Sequence, residues 1–174
     1  MRFVVSDWSR NSLLKVVVVL FVLFVVGLWL TNIALYFGHM DLSAESVRTY
    51  YLGDEEHFLE PRSFRSMVEV AHYHLFAMGM LLMTLTHLML FVPLSIRLKV
   101  WLIVVPFASA VLDEGAGWLV RFGSPSFAWL KVAGFLSLEG SLAVLIGTCL
   151  WSVFAGSNAA WAGQDEDEDE DDES

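Results

Sequence analysis

The sequence predicts an all-α integral membrane protein, a four-helix transmembrane bundle followed by a disordered acidic C-terminal tail. Hydrophobic residues make up 56% of the 174 residues, and the mean hydropathy is +0.60. This is too apolar for an ordinary soluble domain. Four apolar stretches are also long enough to cross about 30 Å of hydrocarbon at about 1.5 Å per helical residue. A membrane bundle therefore accounts for both composition and pattern.

The four predicted helices lie within a transmembrane domain of residues 1–158. They cover approximately residues 16–37, 66–94, 100–120 and 127–154. The first follows three basic residues, Arg2, Arg10 and Lys15, as a secretory signal does. Its apolar core is too long for a signal peptide, however, and no small-x-small cleavage site follows it. We therefore expect it to remain as an anchor helix.

The C-terminal tail holds much of the acidic charge. The formal net charge is -10, and the run from Asp165 to Glu173 consists of acids alone. Like charges repel one another and cannot bury apolar surface, so residues 159–174 are predicted to be disordered. The remaining body is nearly neutral.

The orientation is predicted from the basic residues near the helix ends. The side of the N-terminus has Arg2, Arg10, Lys15, Arg97 and Lys99, and the other side has Arg48, Arg62, Arg65, Arg121 and Lys131. The counts are equal, but the basic flank of the first helix favours a cytoplasmic N-terminus. We expect both termini in the cytoplasm of a bacterial or archaeal cell. The segment 38–65 is then the main outer feature, and it could form an interfacial helix or a docking surface.

Histidines concentrate on the second predicted helix, which contains His72, His74 and His87. Ionisable groups at membrane depth are costly without a partner and are therefore functional candidates. His72 and His87 share a face about 22 Å apart, whereas His74 points about 200° away from His72. His39, at the end of the first helix, is predicted at the depth of His72 and His74. One bis-histidine haem could therefore lie near the outer surface.

This arrangement resembles the four-helix transmembrane b-type cytochromes of the b561 and cytochrome b kind, through the helix count and the histidines of the second helix. The chain departs from their pattern because it has no second histidine-bearing helix. The resemblance implies haem b bound by residues drawn from His39, His72, His74 and His87. It also implies electron transfer between a quinone or another membrane partner and a redox protein subunit.

Two alternatives stay open. In the first, the chain is a metal-binding or transport protein whose outer-half cluster binds Cu, Zn or Fe directly, with Glu69, His72, His74, Asp113 and Glu114 as ligands. Glu139 could extend this cluster into a proton or ion path. In the second, the polar groups are interhelical hydrogen-bond partners of a cofactor-free accessory subunit within a larger membrane complex.

Several functions have no support in the sequence. The single cysteine, Cys149, forms no CxxC or CxxCH motif, so covalent c-type haem is excluded. No phosphate-binding loop, nucleophile elbow or HExxH motif is present, and at most a redox subunit is expected. The predicted partners are the lipid bilayer and other membrane or redox subunits, with no nucleic acid.

Overall fold

The computed structural model describes residues 12–92 and 94–171. Within these ranges the chain forms five α-helices and no strand. They are α1 (Ser12–His39), α2 (Ala44–Leu52), α3 (Phe64–Met89), α4 (Ile96–Trp118) and α5 (Ala128–Asp171). A π turn, Leu119–Gly123, and a 3-10 turn, Pro125–Phe127, connect α4 to α5. The predicted all-α class is confirmed.

Three segments of the described chain are long and apolar enough to cross a membrane. These are Leu13–His39, Phe64–Met89 and Pro125–Phe154. Helix α4 has 23 residues but is not among them, and it contains four charged side chains and an internal proline. The membrane character of the chain is thus confirmed, whereas the predicted count of four spans is not.

Helix α5 is the centre of the bundle, because α1, α2, α3 and α4 all pack against it. Half of the most apolar stretch of α5 is buried inside the bundle, compared with 17% of that of α1 and 22% of that of α3. The largest apolar core joins α1, α3 and α5, and its fully buried members include Leu82, Leu85, Leu142 and Leu145. Each fully buried leucine contributes about 1.5–3 kcal/mol where water is the alternative environment, and packing within lipid adds dispersion contacts. The outward apolar surfaces of α1 and α3 are left for the bilayer.

Helix α2 lies within the segment predicted to hold an interfacial helix. Ser43 caps its N-terminus by accepting a hydrogen bond from the Ser46 amide. Gly53 ends it with φ +81°, and a side chain there would lie 2.4 Å from the carbonyl oxygen of Leu59. Glycine is therefore required for this turn. The buried side chain of Val47 packs α2 into a second apolar cluster, with residues of α1 and α5.

The acidic tail was predicted to be disordered, and this prediction is not confirmed. Helix α5 continues to Asp171, into the predicted tail of residues 159–174. Extension of an existing helix avoids the cost of nucleation and adds one backbone hydrogen bond per residue. The last three residues, 172–174, lie outside the described part of the chain. The basic flank at Arg2 and Arg10 does too.

Helices α4 and α5 approach each other closely at Gly134. A Cβ atom there would lie 2.9 Å from the Cα of Asp113, which belongs to the backbone of α4 and cannot rotate away. One turn along each helix, the hydroxyls of Ser109 and Ser137 form a 2.7 Å hydrogen bond. Small residues of this kind allow helices in a membrane to pack backbone to backbone.

Replacing Gly134 by Ala is expected to force α4 and α5 apart and to lower the free energy of unfolding by about 1–3 kcal/mol. The measurement is unfolding of the protein by SDS, followed by circular dichroism. Gly140→Ala on the same helix is the matched control, because no atom lies within 4 Å of a Cβ there. Equal stability of the two variants would contradict the close approach.

Candidate functional site

A cavity of about 350 Å³ lies at the end of the bundle that α2 covers. Residues of α1, α3, α4 and α5 form its walls, and Tyr50 and Tyr51 of α2 close it. Its charged and amide side chains are Asn32, His39, Arg62, His74, Asp113, Glu114 and Lys131. A wider opening of about 840 Å³ shares His39, Tyr50 and Arg62 with the cavity and leads to the surface. The cavity therefore combines apolar walls with a set of charged and amide side chains, and it shares its mouth with a surface opening.

A buried ion pair forms the floor of the site. The Lys131 Nζ atom of α5 lies 2.7 Å from Oδ1 of Asp113 on α4, and it also donates to the Asp113 carbonyl oxygen at 3.1 Å. The exposed fractions are only 7% for Lys131 and 6% for Asp113. Two charges this deep require one another, because each would be strongly destabilised alone in hydrocarbon.

A second pair joins α3 to α4. The Nδ1 atom of His74 lies 3.3 Å from Oε2 of Glu114, and the Trp118 indole donates to Oε1 of the same carboxylate at 3.3 Å. His74 is 40% exposed and Glu114 is 17% exposed. His74 was predicted to lie near Asp113 and Glu114 of α4, and its contact with Glu114 is observed. The histidine side of this pair is open to the cavity.

His39 reaches the same cavity from the end of α1. Its Nδ1 atom lies 2.9 Å from the Leu35 carbonyl oxygen, one turn earlier on the helix. The ring meets Tyr50 edge to face, with 5.4 Å between centroids. Nδ1 is thus occupied by a backbone acceptor, and the role of Nε2 is not fixed by this bond.

Arg62 and the tyrosines of α2 complete the mouth. The Arg62 guanidinium lies 4.1 Å above the Tyr50 ring, a cation–π arrangement. Among the described residues, no carboxylate forms a salt bridge with Arg62. Tyr51 rests on Gly117, where a Cβ would lie 2.6 Å from the phenol oxygen. Burial raises the pKa of Tyr51, so it remains a neutral hydroxyl.

Below the cavity, Asn32 of α1 connects to Glu139 of α5. The Asn32 amide nitrogen donates to Oε1 of Glu139 at 2.5 Å, and the Trp29 indole donates to the Glu139 carbonyl oxygen at 3.2 Å. Glu139 is 7% exposed. Its other oxygen, Oε2, has no hydrogen-bond partner among the described residues. Asn32 lines the cavity, and Glu139 lies behind it.

Other predicted site residues lie outside the cavity. His72 is exposed beside Tyr73, and His87 is exposed beside Phe91 near the far end of α3. Glu69 is 56% exposed and bonds with Arg65 one turn away on the same helix. In the described part of the chain, no three His, Cys, Asp or Glu side chains form a group able to hold a metal ion. The predicted five-residue metal cluster is therefore not assembled there.

His57 also lies away from the site. Its Nδ1 atom is 2.8 Å from Oδ2 of Asp54 in the loop after α2. This hydrogen bond from His57 holds the pKa of Asp54 below its usual value. Both residues of this pair lie in the loop, and neither lines the cavity.

Sequence reasoning missed several residues of the site. Lys131 was assigned to the basic residues flanking the helices, although it points into the bundle. Asn32, Tyr36 and Tyr51 were not selected either, and all three line the cavity. A signal for Lys131 was available, because only a short turn separates two predicted antiparallel helices carrying Asp113 and Lys131. Such residues can meet at one depth.

The fold and the site define a helical membrane protein with a buried polar cavity at one end of its bundle. Residues 41–160 match the model of the Aq_1264_TM family, described as a transmembrane helical domain. This match spans more than half of the chain, which therefore belongs to this family. No curated protein and no solved structure shows significant similarity to it.

Replacing Lys131 by Met is expected to leave Asp113 buried without its partner and to lower the free energy of unfolding by about 3–5 kcal/mol. The double variant Lys131→Met, Asp113→Leu should recover most of this loss, since neither charge remains. Glu69→Gln, in the exposed pair with Arg65, is the control and should change stability by less than about 1 kcal/mol. SDS unfolding measures all three. A Lys131→Met protein as stable as the control would refute the role of the buried pair.

Proposed function

We propose that the protein is a membrane-embedded electron-transfer subunit that binds b-type haem at the α2 end of the bundle, with His39 and His74 as axial ligands. The observation that carries this proposal is that these two rings line one cavity from different helices, α1 and α3. Histidines on separate helices are the usual source of two axial ligands in a bundle.

The hydrogen bonds of the two rings support this role. A metal-binding histidine commonly uses its second nitrogen to donate to a carboxylate or a backbone carbonyl, which fixes the tautomer and the ring orientation. His74 has Glu114 as such an acceptor, and His39 has the Leu35 carbonyl. In both rings Nδ1 makes this bond, so Nε2 is the atom left to ligate iron.

The remaining lining fits an amphipathic group. Tyr36, Tyr50 and Phe135 supply aromatic walls, and Arg62 supplies a cation at the mouth. An arginine that no described carboxylate neutralises is suited to the propionates of a haem. When bound, haem supplies the one-electron chemistry. The side chains orient it and exclude water. Its electrons would pass between a quinone in the bilayer and another redox subunit.

A cofactor-free accessory subunit is the second candidate. The observation that favours it is that the charged groups of the inner cavity already satisfy one another, Lys131 with Asp113 and His74 with Glu114. Interhelical pairs of this kind can serve packing alone. The non-haem metal alternative has less support, because His72 and Glu69 lie away from the acids of α4.

The visible difference spectrum of the purified protein, reduced minus oxidised, distinguishes these candidates. We expect a haem signal in the unmodified protein and its loss in His39→Ala and His74→Ala. His72→Ala and His87→Ala are matched controls on α3, because both rings lie outside the cavity, and they should retain the signal. If haem is supplied during expression and the purified protein gives no haem signal, the haem proposal is contradicted and the accessory-subunit role is favoured. Equal signals in all four variants would refute the proposed ligands.

We also propose that α4 crosses the membrane as a fourth span, with both termini in the cytoplasm. Helix α4 packs against α3 and α5, and its 23 residues extend about 34 Å at the usual helical rise. Asp113 makes an ion pair with Lys131 of α5, and Glu114 lies within hydrogen-bond distance of His74 of α3, which lowers the cost of placing these acids in hydrocarbon.

Tags at the two termini test this topology. Four crossings place both tags on one side of sealed membrane vesicles, so one membrane-impermeant reagent should label both. The turn between α3 and α4 should be labelled from that side as well. Tags on opposite sides would show an odd number of crossings and remove α4 from the spanning helices.

A further inference from the structure

Glu139 is a buried acid that the proposed haem site does not use. It lies in the apolar span of α5, eight residues beyond Lys131, which corresponds to about 12 Å along the helix. Its neighbours on α5 include the fully buried Leu138 and Leu142. A carboxyl group at this depth needs a reason, because an unpaired charge there costs several kcal/mol.

The groups around Glu139 offer it no cation. From α1, the neutral Asn32 and Trp29 donate hydrogen bonds to its Oε1 and to its carbonyl oxygen. From α4, the nearest charged group is Asp113, another acid, which Lys131 already binds. The α3 histidine of the cavity, His74, is held by Glu114. Among the described residues Glu139 forms no salt bridge.

We infer that Glu139 carries a proton in the resting protein, and that Asn32 is the hydrogen-bonded link that holds its carboxyl group beside the cavity. A protonated carboxyl group is neutral, so Oε2 can lie in apolar surroundings at a far lower cost than an ionised one. The other oxygen of the carboxyl group, Oε1, can still accept the hydrogen bond from Asn32. Exchange with D₂O breaks and re-forms the carboxyl O–H bond alone, and Asn32 positions the group without carrying the proton.

Asn32 makes the connection because its side chain both lines the cavity and bonds to Glu139. The cavity in turn opens to the surface past His39 and Arg62. The Glu139 carboxyl group is therefore one hydrogen bond away from a side chain that lines the cavity. This site is distinct from the proposed axial ligands, and the inference holds whether or not haem is bound.

Infrared spectroscopy of the full-length protein in lipid bilayers tests the inference. At neutral pH the protein should show the carbonyl band of a protonated carboxyl group, and this band should shift in D₂O. Glu139→Gln should remove it, whereas Glu69→Gln, at an exposed glutamate, should leave it unchanged. An unmodified protein without the band, or a Glu139→Gln protein that retains it, would overturn the assignment.

A second variant keeps the test valid if Glu139→Gln does not fold. Asn32→Leu keeps the carboxyl group but removes its hydrogen bond, so the carbonyl band should move to higher frequency and exchange with D₂O should slow. Thr31→Val is the matched control, because Thr31 bonds only to carbonyls of its own helix, Gly27 and Leu28. A band with the same position and exchange rate in Asn32→Leu and Thr31→Val would refute the link through Asn32.

Discussion

The ion pair between Lys131 and Asp113 is the constraint on which the rest of the site depends. It fixes the depth at which α4 and α5 meet, and Gly134, one turn beyond Lys131, allows their backbones to touch there. Burying a lysine and an aspartate is expensive, so a replacement by well-packed apolar residues could be equally stable. The pair therefore contributes mainly by fixing the position of α4 relative to α5. Only one register of α4 against α5 satisfies both charges, whereas apolar surfaces tolerate several.

The contact between His74 and Glu114 follows from the ion pair through helix geometry. Asp113 and Glu114 are consecutive residues, and consecutive residues of an α-helix point about 100° apart. Once Asp113 faces α5, Glu114 must face a different neighbour, and this neighbour is His74 of α3. Two adjacent acids thus attach one helix to two others at the same depth. The cavity lies beside this junction, where Tyr50 and Tyr51 of α2 close it.

The sequence predicted the helices and part of the site, for separate physical reasons. Apolar length identified α1, α3 and α5, and antiparallel order placed His74 at the depth of Asp113 and Glu114, which the His74–Glu114 pair confirms. Depth alone does not give rotation about the helix axis. The sequence therefore predicts Lys131 as a flanking residue. It also groups His72 with His74 in the alternative metal cluster, although these two side chains point about 200° apart on the helix. The tyrosines of α2 could not be selected, since their contacts depend on how the segment folds back over the bundle.

The two ends of the bundle differ in composition, and this difference bears on where the proposed function could place a cofactor. The far end is filled mainly by apolar side chains, among them Leu82, Leu85 and Leu145, and the buried hydroxyl of Thr86 bonds to its own helix. His87 lies toward that end but is exposed on the outside of α3, and no histidine of the described helices faces it across the core. Polar ligands are thus concentrated at the α2 end. Among the described residues, the buried carboxyl of Glu139 marks the depth at which the polar part of the bundle gives way to the apolar part.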